Sequence, residues 1–412
     1  MSQSTVPDPV VPEPPAPGGT LGPSVARRLA LYQRAGGAIV PLITAIIAFI
    51  MGGIVVLATG HNPLSTYKAI FNGTGLNWLF PWVTGVDREL AASNLQQTLI
   101  VMTPLLLTGL AVAFAFRCGM FNIGGQGQYL VGAYTAVFIG SNMKGLSGPV
   151  HIFLAVTLAA LVGALWAGIA GFLKATVGAH EVISTIMLNW VAVWVGQYFY
   201  GLNGPLQGPA EFVPISDDIA EATHLPVFWG DPLLQGLHVG LFIAIGMVVV
   251  YWIILNRTTT GYEVRAVGFN PEAARYGGIS VRKNYFLAMA ISGFFAGLAG
   301  SLDILGWQFH IAQADIEASQ IGFIGIAVAL LGRNSAVGVF LGALVFAALY
   351  VGTSTRQLDP TIFDPKLATN LTGIIQGLIV LFVGADLLVL YLWNVRKKFP
   401  WVRPRAAEGT TS

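Results

Sequence analysis

Charge is scarce in this chain. Only 10% of its 412 residues are Asp, Glu, Lys or Arg, against about 25% in soluble domains. Cysteine is scarcer still: Cys118 stands alone, which excludes an intrachain disulfide and a cysteine-built metal cluster. A single thiol of this kind reads as a small apolar packing residue. No Gly-Lys pair occurs anywhere, so the G-x-x-x-x-G-K-[ST] phosphate cradle is absent and any ATP site must lie on another chain. The formal net charge of +2 gives no support to a nucleic-acid-binding face. The opening stretch MSQSTVPDPVVPEPPAPGGTLGP has no apolar core, so it reads as a disordered Pro-rich tail rather than a signal peptide. Few ionisable residues fall inside apolar runs. Asp303 and Asp386 lie near run ends, which argues against a proton-coupled carrier with a buried carboxylate or histidine relay.

Apolar residues dominate what remains. They make up 55% of the chain, with a mean hydropathy of +0.70, and 50 residues are Gly. Small residues let membrane helices approach closely where lipid competes with any hydrophobic attraction between them. A helix crosses the hydrocarbon with about 20 apolar residues. Clear runs are 37–59, 95–116, 152–175, 182–200, 236–255, 285–305, 337–353 and 371–393, and weaker ones are 123–141 and 319–332. The expected fold is therefore an all-α polytopic membrane protein of about ten transmembrane helices, with 319–332 short enough to be re-entrant instead. The weak runs are third and eighth. They occupy corresponding positions if the chain consists of two inverted five-helix halves, and such matched weak spans point to a translocation site.

Charge placement orients the spans. With the N-terminus in the cytoplasm, 16 of the 21 Lys and Arg residues fall on the inner side and five on the outer, as the positive-inside rule requires. The division is then a cytoplasmic tail at 1–35, a membrane domain at 36–394 with a basic cytoplasmic loop at 256–284, and a basic cytoplasmic tail at 395–412. The outer connection at 201–236 contains acidic residues and no Lys or Arg. It is either a solvated loop or part of a docking surface for an extracytoplasmic protein.

Three segments carry motifs. Residues 118–128 read CGMFNIGGQGQ and place Asn122, Gln126 and Gln128 at membrane depth beside flexible glycines. An amide in hydrocarbon must face protein, water or substrate, so these residues either bond neighbouring helices or line a path. Residues 178–190 read GAHEVISTIMLNW. Here Glu181 is placed to cap the next helix, and Asn189 lies inside the span as a second path residue. Trp190 and Trp307 offer platforms on which a base can stack, although tryptophans so placed more often serve packing or the membrane interface. In the central loop, Asn270-Pro271 precedes Glu272-Ala273-Ala274-Arg275, and Gly278 follows four residues after Ala274. Pro in a first turn, a carboxylate beside it and glycines beyond predict a short capped helix over 272–278.

These segments resemble a known family. EAA-x-x-x-G is the coupling segment of ABC importer permeases. FNIGGQGQ resembles the F-N-I-G-x-x-G-Q signature of the permeases for branched-chain amino acids, simple sugars and nucleosides. The runs at 178–190 and 261–279 resemble its nucleoside (guanosine-type) branch, with His180 where that branch has Asn. The resemblance covers about residues 95–332. It implies a transport subunit with no catalytic residues and no cofactor of its own, set in a bacterial cell membrane. Its implied partners are an ABC ATPase carrying ATP and Mg, a second non-identical permease and an extracytoplasmic substrate-binding protein. On this reading Asn122, Gln126, Gln128, Asn189 and Trp190 line the substrate path. Glu272, Ala273, Ala274, Arg275 and Gly278 receive the ATPase, with both alanines entering its groove.

Overall fold

The structure is a computed structural model that describes residues 46–143, 145–210, 212–231, 236–354, 370, 371, 373–378 and 381. The expected tails and most of the 371–393 run lie outside the described residues. Helix α1 (Ile46–Ala58) bends by 119° into α2 (Pro63–Gly73). The break has a local cause: Pro63 sits in the first turn of α2, and the Asn62 side chain caps it by accepting from Leu64 N at 2.9 Å. Next come α3 (Val86–Arg117), α4 (Gly125–Asn142), α5 (Gly148–Val177) and α6 (Glu181–Tyr200). A two-stranded antiparallel ribbon, β1 (Val227–Trp229) and β2 (Leu237–His238), interrupts the helices. The chain continues through α7 (Gly240–Arg257), α8 (Thr259–Phe269), α9 (Pro271–Tyr276) and α10 (Val281–Asp303), and α10 runs on into a π turn over Ile304–Gln308. Helices α11 (Gln313–Ala318), α12 (Ile321–Leu331) and α13 (Ala336–Gly352) follow.

Among the described residues, six helices are long and apolar enough to cross a membrane: α3, α5, α6, α7, α10 with its π turn, and α11–α12 taken together. A seventh appears if the bent α1–α2 pair is one span. Helix α4 falls outside this set because Gln126, Gln128 and Asn142 dilute its apolar character. It is nevertheless buried along most of its length, so it needs little lipid-facing surface. The expected 319–332 span is the 11-residue α12, separated from α11 by a break at Ser319 and Gln320.

The long helix α3 is the hub of the bundle. Acidic Asp87 and Glu89 lie in its first turn and Arg117 in its last, matching the helix dipole. From Met102 to Ala115 every residue is buried, against α7, α10, α12 and α13. Helices α5 and α10 cross with their backbones in close contact. A Cβ on Gly297 would lie 3.0 Å from Gly163 Cα and would overlap the Ala159 carbonyl, so glycine is required there.

Candidate functional site

After Arg117 the chain leaves the helix and passes through an unwound segment before α4 begins at Gly125. That segment exposes backbone polar groups inside the bundle, and side-chain amides satisfy them. Asn122 Oδ1 accepts from Gly124 N at 2.8 Å. From α6, Asn189 Nδ2 donates to the Ile123 carbonyl at 2.9 Å, while Asn189 Oδ1 accepts from Gly127 N at 2.8 Å. Asn122 Nδ2 donates to Gln128 Oε1 at 2.9 Å and to Ser292 Oγ of α10 at 2.7 Å. Gln128 Nε2 returns a bond to Asn122 Oδ1 at 3.1 Å. Ser292 in turn donates to the Ala111 carbonyl of α3 at 2.6 Å.

The two short helices flagged as weak spans meet at this knot. Gly322 N, in the first turn of α12, donates to Gln126 Oε1 at 2.9 Å. A Cβ on Gly125 would lie 3.4 Å from the Gly322 carbonyl. Five helices, α3, α4, α6, α10 and α12, are thereby tied together. A buried polar group left unpaired costs roughly 1–3 kcal/mol, so the amides hold the unwound segment in place. Asn122, Gln128 and Asn189 use both ends of their amides on protein partners. Gln126 does not: its Nε2 is buried and has no hydrogen-bond partner.

Four of the expected path residues therefore lie together and buried, whereas Trp190 lies apart. Its side chain is 59% exposed on the outer face of α6, in line with Met187, Trp194 and Tyr198. The serine and backbone partners were not expected. Ser292 sits in the small-residue run ISGFFAG and looks there like a helix-packing residue. Glu181 is not a side-chain cap. It lies in the first turn of α6 and pairs with Lys174 at 2.8 Å, tying the end of α5 to the start of α6. Asp303, read from the sequence as lying near a run end, is buried. It accepts from the Tyr129 hydroxyl and from Gln308 Nε2. The π turn carries Gln308 back onto it, a geometry no sequence period announces.

The 256–284 loop is largely helical. Thr258 caps α8 by accepting from Gly261 N at 3.1 Å. Asn270 caps α9 by accepting from Glu272 N at 3.0 Å and Ala273 N at 3.1 Å, with Pro271 in the first turn. The expected helix over 272–278 is two residues shorter at its far end, closing at Tyr276. Gly278 has the expected left-handed backbone (φ +81°), while Gly277 does not. Glu272 and Arg275 pair with each other at 3.3 Å, both well exposed. The expected pair of groove-entering alanines is divided: Ala273 faces outward and Ala274 is buried in the protein's own fold. The large exposed residues here are instead Phe269, just before α9, and Tyr276, its last residue, at 91% and 93%. Among the described residues no group of three or more His, Cys, Asp or Glu side chains could hold a metal ion.

Residues 94–384 match the model of the family described as branched-chain amino acid transport system / permease component. The chain is 36% identical to the guanosine ABC transporter permease protein NupP of Bacillus subtilis, over 89% of this chain and 99% of that protein. It is 34% identical to the glucose ABC transporter permease protein TsgB13 of Haloferax volcanii, over 83% and 86% of the two chains. It is 31% identical to the nucleoside ABC transporter permease protein NupB of Lactococcus lactis, over 85% and 92%. No solved structure matches it. A helical membrane architecture, a polar knot at the junction of two short helices and a family match across most of the chain agree: this protein belongs to the branched-chain amino acid transport system permease components, as a transport subunit rather than an enzyme.

Proposed function

We propose that this chain is the membrane-spanning subunit of an ATP-driven importer that passes a nucleoside, delivered by an extracytoplasmic binding protein, into the cell. The observation that carries the ATP-driven part is α9. It is a short helix capped at its start and followed by a left-handed glycine, with an exposed aromatic just before it and another at its end, in a chain that has no phosphate cradle of its own. Such a helix supplies a rigid contact for an ATPase that holds ATP and Mg. The relatives named for guanosine and nucleosides support the substrate class, and the glucose permease keeps a sugar as the second reading.

The topology that goes with this function is ten spans with both termini in the cytoplasm of the cell membrane, motivated by the split of 16 inner and five outer basic residues. The substrate path runs past Gln126, whose free amide donor is available to a passing polar group. Asn122, Gln128 and Asn189 hold the wall of that path. Trp190, on the exposed face of α6, contributes where a second permease chain closes the path.

The test is uptake by proteoliposomes containing this chain, its ATPase, its companion permease and the binding protein. Vanadate-sensitive uptake of labelled guanosine, outcompeting glucose, is the expected result. Uptake that needs no ATPase and follows an imposed ion gradient would replace this reading with a secondary transporter. Preferred uptake of glucose or of a branched-chain amino acid would keep the importer and change its substrate. A cysteine placed at Arg265, on a Cys118→Ser background, should label only from the cytoplasm.

A further inference from the structure

The coupling segment packs closely against the turn that leads into the polar knot. Helix α8 ends beside the turn that follows α3. A Cβ on Gly119 would lie 3.3 Å from both Cα and O of Gly268. A Cβ on Gly268 would lie 3.0 Å from the backbone of Cys118 and of Gly119 and would overlap the Arg117 carbonyl. Two backbones are therefore in van der Waals contact with no side chain between them. Gly268 lies inside α8, where glycine is less favourable than alanine by about 1 kcal/mol. Close approach is the reason to keep it there.

The contact is short in sequence on both sides. Two residues separate Gly268 from Pro271 and the start of α9. Two residues separate Gly119 from Asn122, the centre of the knot. Behind the contact, Val264 and Val267 of α8 are buried, and Glu263 Oε2 accepts from Asn284 Nδ2 of α10 at 3.0 Å. Helix α10 also holds Asn122 directly through Ser292. A displacement of α8 relative to α10 would push Gly119 and shear Asn122 against Ser292. That shear would loosen the hydrogen bonds fixing the unwound segment and, through Asn189, α6.

We infer that the Gly268–Gly119 backbone contact is the junction through which movement of the cytoplasmic segment reaches the polar knot, so that Gly268 and Gly119 are positioning residues for transport. This rests on the reading of α9 as the ATPase-receiving helix. In the Gly268→Ala variant the added methyl group forces the junction apart while suiting the local helix. The assembled importer in proteoliposomes gives three readouts: the amount of ATPase held, the rate of ATP hydrolysis, and substrate moved per ATP.

Gly268→Ala should hold ATPase and hydrolyse ATP within about twofold of the unaltered importer. Its transport per ATP should fall by about tenfold or more, equivalent to about 1.4 kcal/mol of coupling. Unchanged transport per ATP would overturn the inference. So would loss of ATPase from this variant alone, because Gly268 would then serve only to place α9. If the unaltered chain holds no ATPase, the functional reading fails instead, and the two failures are distinct. If Gly268→Ala does not accumulate in the membrane, Glu263→Ala decides. It adds no volume and removes the hydrogen bond that ties α8 to Asn284 of α10. Reduced transport per ATP with ATPase retained supports the junction, and an unchanged ratio overturns it.

Discussion

The polar knot and the coupling segment are both built from motif residues, yet they treat them in opposite ways. In the knot, Asn122, Gln128 and Asn189 turn inward and bond one another or nearby backbone. Around α9, Glu272, Arg275, Phe269 and Tyr276 turn outward. The medium accounts for the contrast. Within the bundle an unpaired amide has no water to turn to, so polar side chains close on each other. Outside it, water satisfies polar groups, so side chains there stay free to meet a partner. A recognisable motif thus marks internal cohesion in one region and an exposed surface in the other.

The strongest way to break this contrast is Asn189→Leu. It strips partners from Ile123 O and Gly127 N at once and should cost roughly 2–4 kcal/mol of stability, read as lower thermal stability of the purified protein. A variant as stable as the original would mean water already reaches the knot. Next in size is the double variant Phe269→Ala, Tyr276→Ala. Two exposed aromatic anchors lost together should weaken ATPase association by about tenfold or more, with membrane insertion and thermal stability unchanged. Retained association would move the partner contact elsewhere on the protein.

Ion pairs sharpen the comparison at smaller scale. Lys174 and Glu181 pair at 2.8 Å and are mostly shielded, so Lys174→Met should lower stability by about 1 kcal/mol, toward the upper end for surface pairs. Glu272 and Arg275 are each 67% exposed. Arg275→Gln should therefore change stability by only about 0.3 kcal/mol, while any loss of ATPase binding would show that Arg275 acts on the partner rather than on Glu272. Thermal unfolding in detergent at low and high salt separates the two pairs.

Apolar runs made α3, α5, α6, α7 and α10 legible, because composition alone tells a helix from its connections in a membrane. Asn122, Gln126, Gln128 and Asn189 were legible as a set because amides are rare at that depth. Whether they face one another or a path was not, since both choices satisfy the same rule. Ser292 was hidden because a hydroxyl within a glycine-rich helix also suits simple packing. The inward turn of Ala274 could not be read from a six-residue helix, which is too short to display a periodicity. That α12 is short was legible in its apolar run, but its starting residue was not: its N-terminus rests on Gln126 inside the protein, and tertiary packing rather than hydropathy decides where it begins.

The burial of α3 has a consequence for how the chain is made. Its neighbours α10, α12 and α13 begin at Val281, Ile321 and Ala336, more than 160 residues after Arg117. During synthesis α3 enters the membrane long before they exist, and lipid must cover the surfaces they later take. Its stretch from Pro104 to Phe116 carries no charge and only one hydroxyl, Thr108, which bonds back to the Pro104 carbonyl. Nascent α3 can therefore wait in lipid without misfolding. The same cannot be said of α4, whose Gln126 takes its partner from α12. A chain truncated before residue 321 should leave Gln126 without its Gly322 partner, exposing an unfinished knot to the cell's membrane quality control.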